Sequence, residues 1–476
     1  LKPDTLVEFK NPSNCTSFSE HLGTFQAITS NLPFVAQAGR KQYDNALENV
    51  YSTMFAGRDF TGRVDVAAYL PFALHPLLAT NGRLGIIITN AWLGTDWGDD
   101  FYAQVSRYYD LKCVITSGAG RWFNNSKVVT NILIMDKKEE PEQQSGDVKF
   151  IILTRPLEEM SDIETIQITA AQIEVGQIQN DALTIRTVNQ ERMAAFRELG
   201  LGGNAQFVNC DWILGLPLIP LKNIFDISRG ERRGMNALFY PPEGNEIEAE
   251  YLKPLAKSPT EFRRLITSPT KVAFACSRSE DQLIELGHIG ALNWIRRFKS
   301  QEIIDKLSKP GLHWYEMNTH SLADLVMFIN YGERLFVGRV SPPSFADQRL
   351  IPLKPKDEID IELHHALLNS AITMFFMEGM GFGRGLGALD LNKDRIEKYM
   401  HMLDASRLDD VRIDQIKAAF LLLSRRDILP VADELEQVDR IAFDDAVIAA
   451  FQLNVSRADI YNSLLSLHEI RRTATI

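Results

Sequence analysis

From Phe25 to Met135 the chain alternates short apolar runs with amphipathic stretches. Leu84 to Thr89, Lys112 to Thr116 and Thr130 to Met135 read as strands, whereas Val66 to Leu78 and Asp99 to Tyr109 carry apolar residues at helical spacing. Strands alternating with helices predict an α/β sheet. Lys137 to Gly146, rich in Lys, Glu and Gln, predicts a surface turn; Lys149 to Thr154 and Thr165 to Thr169 predict further strands, and Asn189 to Leu199 a helix leading out of the domain. From about Phe207 the texture becomes irregular. After Leu391 it turns helical, at Arg395 to Leu403, Val411 to Ser424, Leu429 to Glu436, Asp444 to Phe451 and Arg457 to Arg472. The stripe Ile416, Ala419, Phe420 and Leu423 has the spacing of a packed helix face. These changes divide the chain at 1–204, 205–390 and 391–476.

Composition narrows the class without fixing the function. The chain has 476 residues, of which 45% are hydrophobic, enough for two or three domains with real cores. Cys15, Cys113, Cys210 and Cys276 are scattered, with no CxxC pair and no histidine at metal-ligand spacing, so neither disulfides nor a metal site is expected. No apolar run reaches the length of a membrane span and no charged-then-apolar signal peptide opens the chain, which gives a cytoplasmic protein as the expectation. The net charge of −11 runs against a uniformly basic nucleic-acid binder. It leaves room for local basic faces, with candidates at Arg229, Arg232 and Arg233, at Arg263 and Arg264, and at Arg296, Arg297 and Lys299. Each cluster also fits a solvated charged surface.

The most specific chemistry lies in Thr29-Ser-Asn31-Leu32-Pro33-Phe34, directly after the apolar run Phe25 to Ile28. Ligands of open α/β sheets bind at the carboxyl ends of strands. There, the Asn31 side-chain oxygen and the Leu32 carbonyl, held outward by Pro33, offer two acceptors to the exocyclic amino group of a planar base. Adenine's amino nitrogen is a poor nucleophile because its lone pair is delocalised into the ring. Two acceptors favour a more tetrahedral nitrogen and hold the positive charge that develops as it attacks. Phe34 supplies a stacking face for a base swung out of the duplex, an interaction worth about 1–3 kcal/mol. These six residues taken alone also fit an ordinary strand-to-helix loop.

Three further elements follow in order: Arg63-Val-Asp65-Val-Ala-Ala-Tyr69, Asn81-Gly-Arg-Leu-Gly-Ile-Ile-Ile-Thr-Asn-Ala-Trp92, and Arg121-Trp-Phe123 leading to Val128-Val-Thr130-Asn-Ile-Leu-Ile-Met135. With the Asn31 element, residues 25–138 resemble the catalytic half of the gamma-type adenine-specific DNA methyltransferases of bacterial restriction-modification systems, whose signature is Asn-Pro-Pro-Phe or Asn-Pro-Pro-Tyr. The resemblance implies part of a Rossmann-like methyltransferase sheet and S-adenosylmethionine as cofactor. It makes Asn31, Leu32, Pro33 and Phe34 the catalytic clamp, Phe123 a contact to the target base, and Asp65 a cofactor-binding residue. Two departures accompany it. Leu32 stands where the family has a first proline, so the fixed φ that aims the carbonyl is lost. The family's glycine-rich cofactor loop lies upstream of the clamp, whereas only thirty residues precede Asn31 here, with Gly23 their one glycine. The expectation is a fragment, or the carboxyl-terminal part of a split enzyme, with the cofactor half on an upstream segment or a second polypeptide.

Pro217 to Asn236 followed by Phe239, then Asp347-Gln348-Arg349, then Leu367-Leu-Asn369-Ser370 resemble the target recognition domains of the same enzymes and of type I specificity subunits. The resemblance implies an α+β domain on double-stranded DNA, with Arg229, Arg232, Arg233, Asn236 and Arg349 as contacts, and a helical tail that supports it or docks a partner. Gly381-Phe-Gly383-Arg-Gly385-Leu-Gly387 has the glycine density of a cofactor loop, but such a loop follows a strand. Helical spacing in Leu363 to Met380 predicts instead a turn after a helix. No Pro-Asp-x-Asp/Glu-x-Lys nuclease core is present, so cleavage in a bifunctional enzyme requires another segment or a partner. The competing class is a methylase-like subunit that only recognises DNA.

Overall fold

A computed structural model of the chain describes residues 23–31, 51, 60, 64–123, 128–141, 143–175, 180–232, 234–317, 321–383 and 387–473. Leu32, Pro33, Phe34 and Arg233 lie outside the described residues. The chain divides into two compact units. One runs to Gly215 and takes in Phe375–Asp390 and the segment from Ala458; the other comprises Leu216–Met374 and Leu391–Arg457.

The first unit is α/β. Its strands are β1 (Phe25–Asn31), β2 (Leu78–Thr89), β3 (Tyr109–Ser117), β4 (Thr130–Lys137), β5 (Val148–Leu153) and β6 (Leu183–Val188). They form one sheet in the order β1-β2-β4-β3-β5-β6. β1 and β2 are parallel, β4 is antiparallel to both β2 and β3, and β3 runs parallel to β5. β1, β2 and β3 therefore end at the same edge of the sheet, where β4 begins. The helix Asp96–Tyr108 opens with Asp96 and Asp99, which favour the positive end of its dipole. It buries Trp97, Phe101 and Val105, one turn apart, against an aromatic cluster in which Phe101 lies 6.3 Å from Phe60 and 6.4 Å from Phe72.

Four readings of the pattern need correction, one of them in the second unit. Thr165 to Thr169 is not a strand but part of the helix Ile163–Val175. The alternating Ile166 and Ile168 suggested period two, yet both are about half exposed, so the alternation marks no buried face. Asp162 Oδ1 accepts the Thr165 amide at 2.8 Å, and Ala170, Ala171, Gln172 and Glu174 favour the helix it starts. The helix expected over Val66 to Leu78 is broken into turns at Val66–Tyr69, Leu70–Leu74 and His75–Leu77, since Pro71 and Pro76 interrupt the hydrogen-bond ladder. The helical stretch expected from Leu363 to Met380 is two helices, Ile361–Leu367 and Ala371–Met380.

In the second unit, β7 (Leu218–Pro220) pairs with a late strand, and β8 (Phe225–Ile227), β9 (Leu252–Ala256), β10 (Ile266–Thr267), β11 (Lys271–Phe274), β12 (Ala323–Phe328), β13 (Gly338–Ala346) and β14 (Leu350–Pro355) form a mixed sheet. Its order is β11-β9-β13-β12-β14-β8, with β10 on β13. The late strand, β15 (His401–Leu403), follows the helix Lys393–Tyr399, so the helix expected over Arg395 to Leu403 ends early. One core packs Phe239, Phe274, Leu283, Ile295 and Phe345. Helices Asp410–Ser424 and Val438–Ala450 bury Ile416, Phe420 and Leu423 as the apolar stripe predicts.

Candidate functional site

Of the first set of expected residues, Asn31 and Asp65 are held at the carboxyl edge shared by β1, β2 and β3. Asn31 is the last residue of β1, exposed and in register with Ile87 of β2. Two residues beyond Ile87, β2 ends at Thr89, whose hydroxyl donates to Asp65 Oδ2 at 3.2 Å. Asp65 is nearly buried and its Oδ1 accepts the Ala67 amide at 3.2 Å, capping the turn Val66–Tyr69. Both carboxylate oxygens are thus engaged in holding the chain to the end of β2. Thr89 is in register with Thr130, the first residue of β4, and the half-buried Phe123 belongs to the loop between β3 and β4, which starts from this edge. Asn31 and Asp65, far apart in sequence, are thus both held at the carboxyl ends of neighbouring strands, Asn31 on β1 and Asp65 through Thr89 on β2. The chemistry available there is acceptor-rich: an exposed amide at a strand end, close to a carboxylate whose position is fixed.

The glycine-rich segment also reaches this edge. Phe382–Gly383 pairs antiparallel with Leu389–Asp390, forming a hairpin after a helix. Asn90, just past β2, donates its amide to the Gly383 carbonyl at 2.9 Å, and Asn204 donates to the Gly381 carbonyl at 2.5 Å. A Cβ at Gly94 would stand 2.9 Å from Gly381 backbone, so the close approach requires glycine. Beside the hairpin a small cavity of about 30 Å³ is lined by Asn90, Thr116, Asn204, Glu378 and Arg471. Burial by itself would raise the Glu378 carboxyl; the Arg471 guanidinium overrides it and holds the group at about 2.

The second set of expected residues lies in the second unit. Arg229, Arg232 and Asn236 follow β8, and Arg349 sits in the turn between β13 and β14. The two stretches join side by side. Glu231 bridges Asp347, the Glu231 amide donates to the Ala346 carbonyl at 2.7 Å, the Gly230 amide to the Leu350 carbonyl at 2.9 Å, and Arg229 Nε to the Gln348 carbonyl at 3.2 Å. A Cβ at Gly230 would fall 2.0 Å from the Asp347 carbonyl oxygen, so only glycine permits the join. Asp347 is buried, accepting the Tyr240 hydroxyl at 3.1 Å and the Arg349 amide at 3.3 Å. Arg229, Arg232, Gln348 and Arg349 remain exposed. Asn236, also exposed, opens the short helix Asn236–Phe239.

No family model and no curated protein matches the chain. Among solved structures, it is similar over 93% of its length to the type IIL restriction-modification enzyme MmeI in complex with DNA, with a TM-score of 0.51 and 10% identity. That likeness shows the fold. The type IIG restriction endonuclease BpuSI matches 97% of the chain at 12% identity with a TM-score of 0.41. The chain spans 57% of the length of MmeI and 55% of BpuSI.

Sequence reasoning passed over Asn131. It is fully buried in β4, in register with Ile88, and among the described residues neither amide atom has a hydrogen-bond partner. The signal was a lone amide in an otherwise apolar strand. An unsatisfied buried polar group costs about 1–3 kcal/mol, and an apolar residue of the same shape removes that cost. Asn131→Leu is expected to raise stability by about this amount, measured as a higher urea midpoint at unchanged slope; a lowered midpoint would show that the amide is satisfied. Among the described residues no group of three or more His, Cys, Asp or Glu side chains is placed to hold a metal ion, and no helix is long and apolar enough to cross a membrane.

Proposed function

We propose that the chain is the catalytic and target-recognition part of an adenine-specific DNA methyltransferase of a restriction-modification system. The observation that carries this reading is the place of Asn31: an exposed amide at the carboxyl end of a strand, in a fold shared with MmeI. In the proposed reaction the target adenine leaves the duplex. Asn31 Oδ1 and the Leu32 carbonyl accept its two amino protons, Phe34 and Phe123 flank the ring, and the nitrogen lone pair, freed from the ring, takes up the methyl group as the methyl–sulfur bond of the donor breaks, its electron pair staying on sulfur as the neutral thioether leaves, and one N–H proton is released to solvent. The proposed domains are 1–204 for catalysis, 205–390 for target recognition and 391–476 as the helical support.

S-adenosylmethionine is the proposed methyl donor. The described residues do not hold it on their own, since residues 23–31 contain no glycine-rich turn between strand and helix. Its holder is proposed to be a segment outside the described residues or a second polypeptide. Double-stranded DNA is the proposed partner of the second unit, read through Arg229, Arg232, Arg233, Asn236 and Arg349. Leu32 in the clamp favours a second reading as a DNA-recognition subunit without transfer activity. Transfer of a radiolabelled methyl group to unmethylated DNA, by the chain alone and with its upstream or neighbouring polypeptide, separates the two.

The joined arginine turns give a separate expectation. If Arg229 and Arg349 meet phosphates, alanine at either weakens DNA binding evenly across sequences and lowers the slope of log affinity against log salt by about 1. If either reads a guanine edge, the loss of about 1–3 kcal/mol is confined to one position of the site. Fluorescence anisotropy over a salt series distinguishes them, and unchanged affinity in both variants rejects the cluster as a DNA contact.

A further inference from the structure

The second unit contains a cavity of about 430 Å³ that neither catalysis nor DNA recognition uses. Its volume lies within the roughly 300–1,000 Å³ of small-molecule sites. Ile219 and Ile224 come from the stretch around β7, Leu363 from the helix Ile361–Leu367, and Met402 from β15, giving the cavity apolar walls. The polar residues that line it are His364, Glu358, Asp404 and Ser406.

The available polar atoms are acceptors. His364 is more than nine-tenths buried, with its ring edge-on to Phe225 at 6.0 Å. Its Nδ1 lies 2.8 Å from the Asp360 carbonyl, which can only accept, so Nδ1 carries a proton and, in the neutral ring, Nε2 presents a lone pair. No partner for Nε2 is found among the described residues. Glu358 is exposed and makes no ion pair among the described residues. Asp404 Oδ1 accepts the Ser406 amide at 3.1 Å and hydroxyl at 2.7 Å, while its Oδ2 is 3.6 Å from Arg407 Nε. That leaves the Ser406 hydroxyl proton committed to Asp404, and none of the lining residues is lysine or arginine.

We propose that this cavity binds a small primary amine with an apolar body. The hydrophobic walls take the body by excluding water. The ammonium group, a donor with no acceptor capacity, meets the carboxylates at the mouth and the His364 lone pair, whereas an anion of the same size meets only like charge and acceptors.

Phenethylamine, 2-phenylethanol and 3-phenylpropionate share a body and differ in head group, so titration of each against the full chain by calorimetry tests the proposal. The amine is expected to bind saturably at one site, the alcohol more weakly and the acid not at all. Glu358→Gln is expected to weaken the amine several-fold and leave the alcohol unchanged. Ala405→Trp and Ile359→Trp, which fill the cavity, are expected to remove binding of both while thermal unfolding stays that of the parent chain. Acid binding as tight as amine, no saturable binding of any of the three, amine affinity indifferent to Glu358→Gln, or binding that survives both filling variants overturns the proposal. None of these readouts involves methyl transfer, so the outcome is independent of the proposed catalytic function.

Discussion

Asn31→Ala is expected to lower the rate of methyl transfer by about 100- to 1,000-fold, the loss that follows removal of one preorganised hydrogen-bonding group from a site of developing charge. The reasoning is local. Asn31 ends β1, and its backbone is fixed by register with Ile87, so alanine leaves the strand in place and removes only the acceptor. The side chain is exposed, so no buried cavity is created and stability should change little. DNA affinity should also hold, since phosphate contacts dominate it. The measurement is single-turnover transfer of labelled methyl groups, with DNA binding recorded on the same preparations and with the upstream or neighbouring polypeptide present. A variant that transfers at the parent rate removes Asn31 from the mechanism. No transfer by the parent chain in any mixture, with selective DNA binding intact, leaves the recognition-subunit reading and directs attention to Leu32.

Legibility in the sequence followed the range of the interactions. Leu84 to Thr89 and Thr130 to Met135 were readable because a strand covered on both faces is a continuous apolar run, and its neighbours in the sheet merely repeat that pattern. Ile163–Val175 was not, since its identity depends on the Asp162 cap rather than on a buried face. At the rim, Asn31, Asp65 and Phe123 could be named individually from motif resemblance, but not that Asp65 spends both oxygens on Ala67 and Thr89. The glycine-rich segment was readable as a turn after a helix; its attachment to Asn90, 293 positions away, was not. Nor does any local pattern reveal that Gly230 is required because Asp347 passes against it. Long-range joins of this kind depend on shape, and sequence spacing carries no trace of them.

The ion pair between Glu378 and Arg471 gives the largest expected effect on stability. The two side chains are almost wholly buried, Arg471 Nε lies 2.5 Å from Glu378 Oε1, and the guanidinium also donates to the Gly387 carbonyl and, at 3.0 Å, to His468 Nδ1. The pair ties the helix Ala371–Met380 to the carboxyl-terminal helix Arg457–Thr473 within the first unit. Glu378→Met strands a buried cation, and Arg471→Leu a buried anion; each is expected to cost about 3–5 kcal/mol. Glu378→Met combined with Arg471→Leu removes both charges and is expected to restore most of the loss, because desolvation of a buried pair offsets much of its attraction. Denaturant unfolding of the three variants completes the cycle, and additive losses in the double variant would falsify the coupling. The pH dependence has a definite sign. Burial alone would raise the Glu378 carboxyl, but Arg471 holds it at about 2, below its usual value of 4.5. A depressed carboxylate contributes stability that is complete above its unfolded pKa and fades as pH falls from 4.5 toward 2. The parent chain should therefore lose stability over that interval more steeply than the Met/Leu variant, and the difference between their unfolding midpoints across pH 2 to 7 reports the pair together with the adjoining His468.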